Sequence, residues 1–165
     1  MDNTDKKILS ILASNAAASA TDIGEAVHLS IPAVNKRIQR LQKDGVIRSF
    51  TVVTDGKAAG KPITAFIMIV LRYSSGTEEF ERYIANDRDV LECYAVTGEY
   101  DYILKVCASD VEALESKLLA LKQQKGVVKS HTMLSLMEHK YQPTILPDIE
   151  KEDDSHEARN AQPAL

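Results

Sequence analysis

The residues with the most evident chemical capacity are cations gathered on one short segment. Lys36, Arg37, Arg40 and Lys43 lie within Val34 to Gly45 (Val-Asn-Lys-Arg-Ile-Gln-Arg-Leu-Gln-Lys-Asp-Gly), and Arg48 follows closely. At about 100° per residue, Val34, Ile38 and Leu41 fall on one side of a helix, while Lys36, Gln39, Arg40 and Lys43 fall on the other. Such a helix packs its back on a domain and offers its front to phosphate. A charged amphipathic helix by itself is more often a solvated face, so the assignment depends on its surroundings. A second candidate is Gly98-Glu99-Tyr100-Asp101. Gly98 permits close backbone approach, successive amides can hold a carboxylate and Asp101 can accept from an ammonium, a set that suits a zwitterion. The same residues also read as a plain hairpin turn in which Asp101 bonds its own backbone. The residues alone leave both readings open.

Other chemistries lack their constellations. No Ser/His/Asp, Cys/His or paired-carboxylate arrangement occurs at usable spacing, and no phosphate loop is present, so the chain is not expected to be an enzyme. His28, His131, His139 and His156 are scattered, and Cys93 and Cys107 have no metal-ligand spacing. No metal or other cofactor is expected, and the cysteines read as small buried hydrophobes kept reduced.

The elements around the basic segment strengthen its reading. Asp5 to Ala13 carries Ile8, Leu9, Ile11 and Leu12 in a helical pattern, Thr21 can cap a second helix holding Ile23 and Val27, and His28-Leu29-Ser30 is a tight connection. Ser30 is a suitable N-cap for the third helix, where Pro32 loses no intrahelical bond, and Gly45 stops it with Lys43 near the negative end of the dipole. Ile47 to Thr54 is β-rich and suits the wing strand of a winged helix-turn-helix. The candidate DNA contacts are therefore Ser30, Pro32, Lys36, Arg37, Gln39, Arg40, Lys43 and Arg48.

The chain has 165 residues, of which 44% are hydrophobic and 27% charged, which suits one large globular domain or two small ones. No apolar run approaches a membrane span, and Met1-Asp2-Asn3-Thr4-Asp5-Lys6-Lys7 lacks a signal-peptide core, so a cytoplasmic protein without membrane contact is expected. The net charge of −4 conceals a division: residues 1–61 hold nine Lys/Arg against six Asp/Glu, and residues 62–165 hold eleven against eighteen. Positive charge is concentrated where duplex DNA would lie, and phosphate neutralisation supplies most non-specific affinity.

Residues 55–62, Asp-Gly-Lys-Ala-Ala-Gly-Lys-Pro, read as a linker between a DNA-binding domain over 1–54 and a second domain over 63–147. Ile63 to Leu71 is an apolar strand. A Ser-x-x-Glu capping box over Ser75 to Glu78 opens a helix bearing Phe80 and Ile84. Leu91 to Val96 and Tyr102 to Cys107 are strands around the Gly98 to Asp101 turn. Ser109 to Glu112 repeats the capping box before a helix with Val111, Leu114, Leu118 and Leu121, ended by Gly126, and Val127 to Glu138 is the last strand. The fold class is α+β: a winged helix-turn-helix followed by a ferredoxin-like β-α-β-β-α-β domain. Ile63 to Leu71 is apolar in both registers, with Ile63, Ala65, Ile67, Ile69 and Leu71 on one face and Phe66, Met68 and Val70 on the other. A sheet open on one side would alternate, so a second copy is expected to cover the second face. Residues 148–165, with six acidic and two basic positions, read as a solvated, disordered tail.

Up to about Pro147 the chain resembles the Lrp/AsnC (leucine-responsive regulator and asparagine-synthetase regulator) family of prokaryotic transcription factors. The resemblance rests on Asp5-Lys6-Lys7-Ile8-Leu9, Leu29-Ser30, Val34 through Leu41, Asp44-Gly45-Val46-Ile47 and Val96-Thr97-Gly98-Glu99-Tyr100-Asp101-Tyr102. It implies a winged helix-turn-helix joined to a ligand-sensing domain, and dimers that associate further, often into octamers, with small amino acids bound between dimers. It also implies effector contacts from Gly98, Glu99, Tyr100 and Asp101 and, on the last strand, from Ser130 and Thr132. The acidic extension and Ser130 in place of a common threonine depart from the family pattern. The expected function is sequence-specific DNA binding that responds to an amino-acid-type effector, with a ligand-independent architectural DNA-binding protein as the alternative.

Overall fold

The computed structural model describes residues 1–72 and 76–149, so the acidic tail expected over 148–165 lies almost wholly outside the described residues. Two compact units are present among the described residues, one of Met1–Val52 grouped with residues 142–149, and one of Val53–Tyr141. The segment 55–62 thus belongs to the second unit.

Three helices build the first unit: α1 (Asn3–Ser14), α2 (Ala20–Val27) and α3 (Ile31–Lys43). Asp2 and Asp5 cap α1 reciprocally, each carboxylate accepting the other residue's backbone N–H. Ser19 and Asp22 do the same at α2, so the cap is Ser19 and Thr21 lies inside the helix. The reason is spacing: Ser19 has an acidic residue three positions on, whereas Thr21 has Gly24. His28 closes α2 in the left-handed region at φ 56. Ser30 occupies the N-cap of α3 without a side-chain cap bond, and Pro32 sits in the first turn. Ile8, Leu12, Ile23 and Val34 form the core, with Ile38 and Ile47 packed against it. The wing strand expected over Ile47 to Thr54 is absent from the described residues. Its side chains favour a strand, but a ladder needs a neighbour and this segment pairs with none among the described residues.

The second unit runs β1 (Ile63–Leu71), α4 (Thr77–Asn86), β2 (Val90–Ala95), β3 (Tyr102–Ala108), α5 (Val111–Lys122) and β4 (Val127–Leu134). Its four strands pair antiparallel in the order β2-β3-β1-β4, the expected ferredoxin-like arrangement. β4 stops at Leu134, short of Glu138, because Leu134 pairs with Ala65 and the Ser135 N–H already bonds the Thr64 carbonyl near the start of β1. Both expected capping boxes differ. Ser75 lies outside the described residues, and α4 opens at Gly76 without a side-chain cap. Gly76 has φ 108, and a Cβ there would meet the Lys125 carbonyl oxygen at 2.2 Å, so both backbone and space require glycine. At α5 the cap is Asp110 rather than Ser109. Its carboxylate accepts the Ala113 N–H at 2.7 Å, and the Ser109 hydroxyl donates to it at 2.9 Å.

Ala65, Ile67, Ile69 and Leu71 are buried against Phe80 and Ile84 of α4 and Leu114 and Leu121 of α5. The helices therefore cover the Ile67 face. Phe66, Met68 and Val70 lie on the opposite face, where register places Tyr94, Ile103 and Met133 beside them. Phe66 is 36%, Met133 49% and Tyr94 58% exposed, too much apolar surface for a finished sheet. Cys107 is half-buried, but Cys93 is exposed on the edge strand β2 instead of buried. Both thiols are free. No helix of the described residues is long and apolar enough to cross a membrane.

Candidate nucleic-acid interface and effector loop

On α3, Lys36, Gln39, Arg40 and Lys43 are exposed, as are Ser30 and Pro32 at its start and Arg48 beyond its end. Lys36, Lys43 and Arg48 have no ion partner among the described residues. Their charge is available to phosphate. Arg37 and Arg40 are held differently. Asp5 is fully buried, and its Oδ1 accepts from Arg37 Nη1 at 2.8 Å while its Oδ2 accepts from Arg40 Nη2 at 2.6 Å and from the Asp2 N–H at 3.1 Å. Arg37 Nη1 also donates to Asp2 Oδ2 at 2.6 Å. Two cations assigned to DNA thus also clamp α3 to α1, Arg37 the more fully, with 26% of its side chain exposed against 52% for Arg40. The Arg37 guanidinium and then the Asp5 backbone N–H hold the Asp2 carboxyl below its ordinary range. Sequence reasoning missed Asp5, although a signal existed: Asp5, Ile8 and Leu12 share one stripe at helical spacing, and a carboxylate on an apolar stripe needs a partner.

The second group is a hairpin loop tied to the sheet. The Asp101 N–H donates to the Ile69 carbonyl at 2.9 Å, and Asp101 Oδ2 accepts the Leu71 N–H at 2.7 Å. The Asp101 side chain therefore fastens the loop to the end of β1 while its carbonyl accepts the Val96 N–H across the hairpin at 2.9 Å, and its Oδ1 has no partner among the described residues. Gly98 has φ 117 with open space where a Cβ would stand. The Glu99 carboxylate accepts from Lys129 Nζ at 2.5 Å, and that ammonium lies 5.2 Å from the Tyr100 ring centre, with His131 6.4 Å from Tyr100. Lys129 lowers the Glu99 pKa and Glu99 raises that of Lys129, first by hydrogen bonding and then by charge.

These contacts divide the six predicted effector residues. Lys129 and His131 pair with Val70 and Met68, so Glu99 and Tyr100 lean over the uncovered face. Ser130 and Thr132 pair with Ile69 and Ile67, which places them half-buried on the helix-covered face. β1 separates Ser130 from Asp101, a span of about 10 Å at two strand spacings. The chain brings Glu99 and Tyr100 to Lys129 and His131, residues the sequence did not single out, and keeps the two hydroxyls apart from them. A cleft of about 1530 Å³ lies elsewhere, at the opposite end of the sheet, lined by Lys61, Arg82, Tyr83, Asp87, Lys105 and Tyr141 among others. None of the predicted residues lines it. Among the described residues no cluster of His, Cys, Asp and Glu could hold a metal.

Residues 1–48 match the model of a winged helix-turn-helix DNA-binding domain, and residues 64–145 match that of the Lrp/AsnC ligand binding domain. The chain is 32% identical over 147 residues to the HTH-type transcriptional regulator FL11 of Pyrococcus horikoshii, covering 89% of this chain and 96% of that protein. It is 35% identical over 136 residues to an HTH-type transcriptional regulator of Mycobacterium tuberculosis, covering 82% and 92%. Among solved structures, a transcriptional regulator from Neisseria meningitidis in complex with L-methionine superposes with TM-score 0.84 at 28% identity, over 88% of this chain and 96% of that one. A feast or famine regulatory protein from M. tuberculosis complexed with L-methionine gives TM-score 0.82 at 25% identity, over 88% and 99%.

Proposed function

Because the chain belongs to the Lrp/AsnC family of transcription regulators, with a helix-turn-helix DNA-binding domain and a ligand-binding domain, we propose that it reads duplex DNA through α3 and that a small amino acid alters its assembly or its DNA affinity. The observation that carries the DNA reading is the exposed, unpaired set of Lys36, Lys43 and Arg48 on and beside α3. Lys36→Ala and Lys43→Ala are expected to leave the melting temperature unchanged and to flatten the slope of log affinity against log salt by about 0.9 for each phosphate left unneutralised. Arg40→Ala is a poorer probe, since it also strips a partner from buried Asp5. Parent-like binding by both lysine variants at moderate salt rejects the assignment.

The uncovered Phe66 face supports a homodimer packed sheet against sheet, and the family resemblance extends this to a higher assembly such as an octamer with effector between dimers. An amino-acid effector is supported by the relatives from N. meningitidis and M. tuberculosis, each of which was solved with L-methionine. In this reading the exposed amides after Gly98 take the carboxylate and the unoccupied Asp101 Oδ1 takes the ammonium. A thermal-shift screen of the twenty amino acids identifies the ligand, because binding to the folded state alone raises the melting temperature. Asp101→Asn keeps an acceptor for the Leu71 N–H while removing the charge, so calorimetry on this variant should record at least a tenfold weaker effector affinity with basal DNA binding retained. Equal affinities reduce the loop to a structural hairpin. One observation favours the architectural alternative: Ser130 and Thr132 lie on the other face of the sheet from Glu99 and Tyr100. DNA affinity indifferent to all twenty amino acids decides for it.

A further inference from the structure

The aspartates at the start of α1 face the cations of the helix assigned to DNA. Asp5, fully buried and bonded to both Arg37 and Arg40, has no route to solvent. Asp2 is different, because its side chain is 52% exposed and its one ion pair among the described residues is with Arg37. At 100° per residue Arg37 stands about 60° from Arg40, on the rim between the packed side of α3 and its basic front. We propose that Asp2 is an internal counter-ion that occupies Arg37 in the free protein and is displaced by a DNA phosphate, while Asp5 stays bound as the positioning residue that keeps both guanidinium groups against α1. The inference rests on the reading of α3 as the DNA-contacting helix.

The physical basis is competition between like groups. A carboxylate and a phosphate oxygen are both anionic acceptors for a guanidinium, and a half-exposed pair is weak enough to exchange. Arg37 has donors to spare, so it can turn its outer edge to phosphate while Nη1 keeps its 2.8 Å bond to Asp5. The affinity of the protein for any duplex is then lowered by the cost of displacing Asp2. Free Arg37 would bind phosphate without that opposition.

The test uses the full chain and a fluorescently labelled duplex of random sequence, titrated at several salt concentrations. Asp2→Asn and Asp2→Ser both preserve a good N-cap, and serine is also too short to reach Arg37, so both should melt with the parent. Each is expected to bind the duplex about three- to tenfold more tightly at moderate salt, with a slope steeper by up to about 0.9, the value of one neutralised phosphate. In an Arg37→Gln background, which keeps a donor for Asp5, the gain should vanish. An equal gain in both backgrounds reports only the loss of a negative charge and overturns the proposal. No gain, while Lys36→Ala still flattens the slope, overturns it and leaves the DNA-contacting helix intact. If Lys36→Ala also changes nothing, the helix assignment fails and carries the inference down with it.

Discussion

Asp5→Ala is expected to destabilise the helix-turn-helix unit by about 3 kcal/mol, the largest loss available from a single polar side chain in this domain. The carboxylate is fully buried and accepts from Arg37, Arg40 and the Asp2 N–H. Alanine ends the capping box and leaves two guanidinium groups without their shared anion. The loss stays near the lower end of what a broken buried pair costs, because Arg37 and Arg40 retain enough exposure to hydrate. For a unit of this size the melting temperature should fall by roughly 10–20 °C. Far-UV circular dichroism of the full chain records the transition, and hydrogen exchange should show weaker protection between Val34 and Leu41 while β1 amides keep theirs. A melting temperature within about 2 °C of the parent would mean that the buried charge is offset by its desolvation and adds nothing net.

Phe66→Lys and Ile67→Lys are neighbours in sequence and should fail in opposite ways. Ile67 is fully buried among Phe80, Leu104 and Leu121, and an unpaired ammonium there costs several kcal/mol, which unfolds the second unit. Phe66 faces away from the helices, partly exposed and opposite Lys105 in the ladder. Lysine at that position can hydrate in a single chain, so the subunit should fold and melt cooperatively. In a sheet-to-sheet dimer the same ammonium is buried beside Lys105, and association should weaken by at least a hundredfold, about 2.7 kcal/mol. Light scattering of the two soluble species decides the matter. A parent chain that is monomeric, or a Phe66→Lys dimer as tight as the parent, removes the second copy from that face.

Much of the architecture is legible in local pattern. Ile63–Leu71, Tyr102–Ala108 and the apolar stripes of α3 and α5 follow from side-chain period, which is a property of consecutive residues and needs no partner to be read. The helix caps are less legible. Pattern points to Thr21 and Ser109 where Ser19 and Asp110 do the capping, because several adjacent Ser, Thr and Asp residues can each serve and the winner is set by which carboxylate or hydroxyl reaches the third amide. The wing segment misleads for the complementary reason: residues 47–54 have strand composition, and composition does not supply the neighbour that a ladder requires.

The sequence by itself determined the order of the three N-terminal helices and of the strands and helices of the second unit, the basic face of α3 and the presence of two apolar registers in β1. Only the tertiary structure decided which register meets the helices, that Asp5 binds Arg37 and Arg40 across 32 and 35 residues of chain, and that Lys129 and His131 rather than Ser130 and Thr132 share a face with Tyr100. Periodicity assigns residues to faces but cannot say what each face will touch. That depends on the register between strands and on charges brought together from distant positions, and both are fixed only when the whole chain has packed.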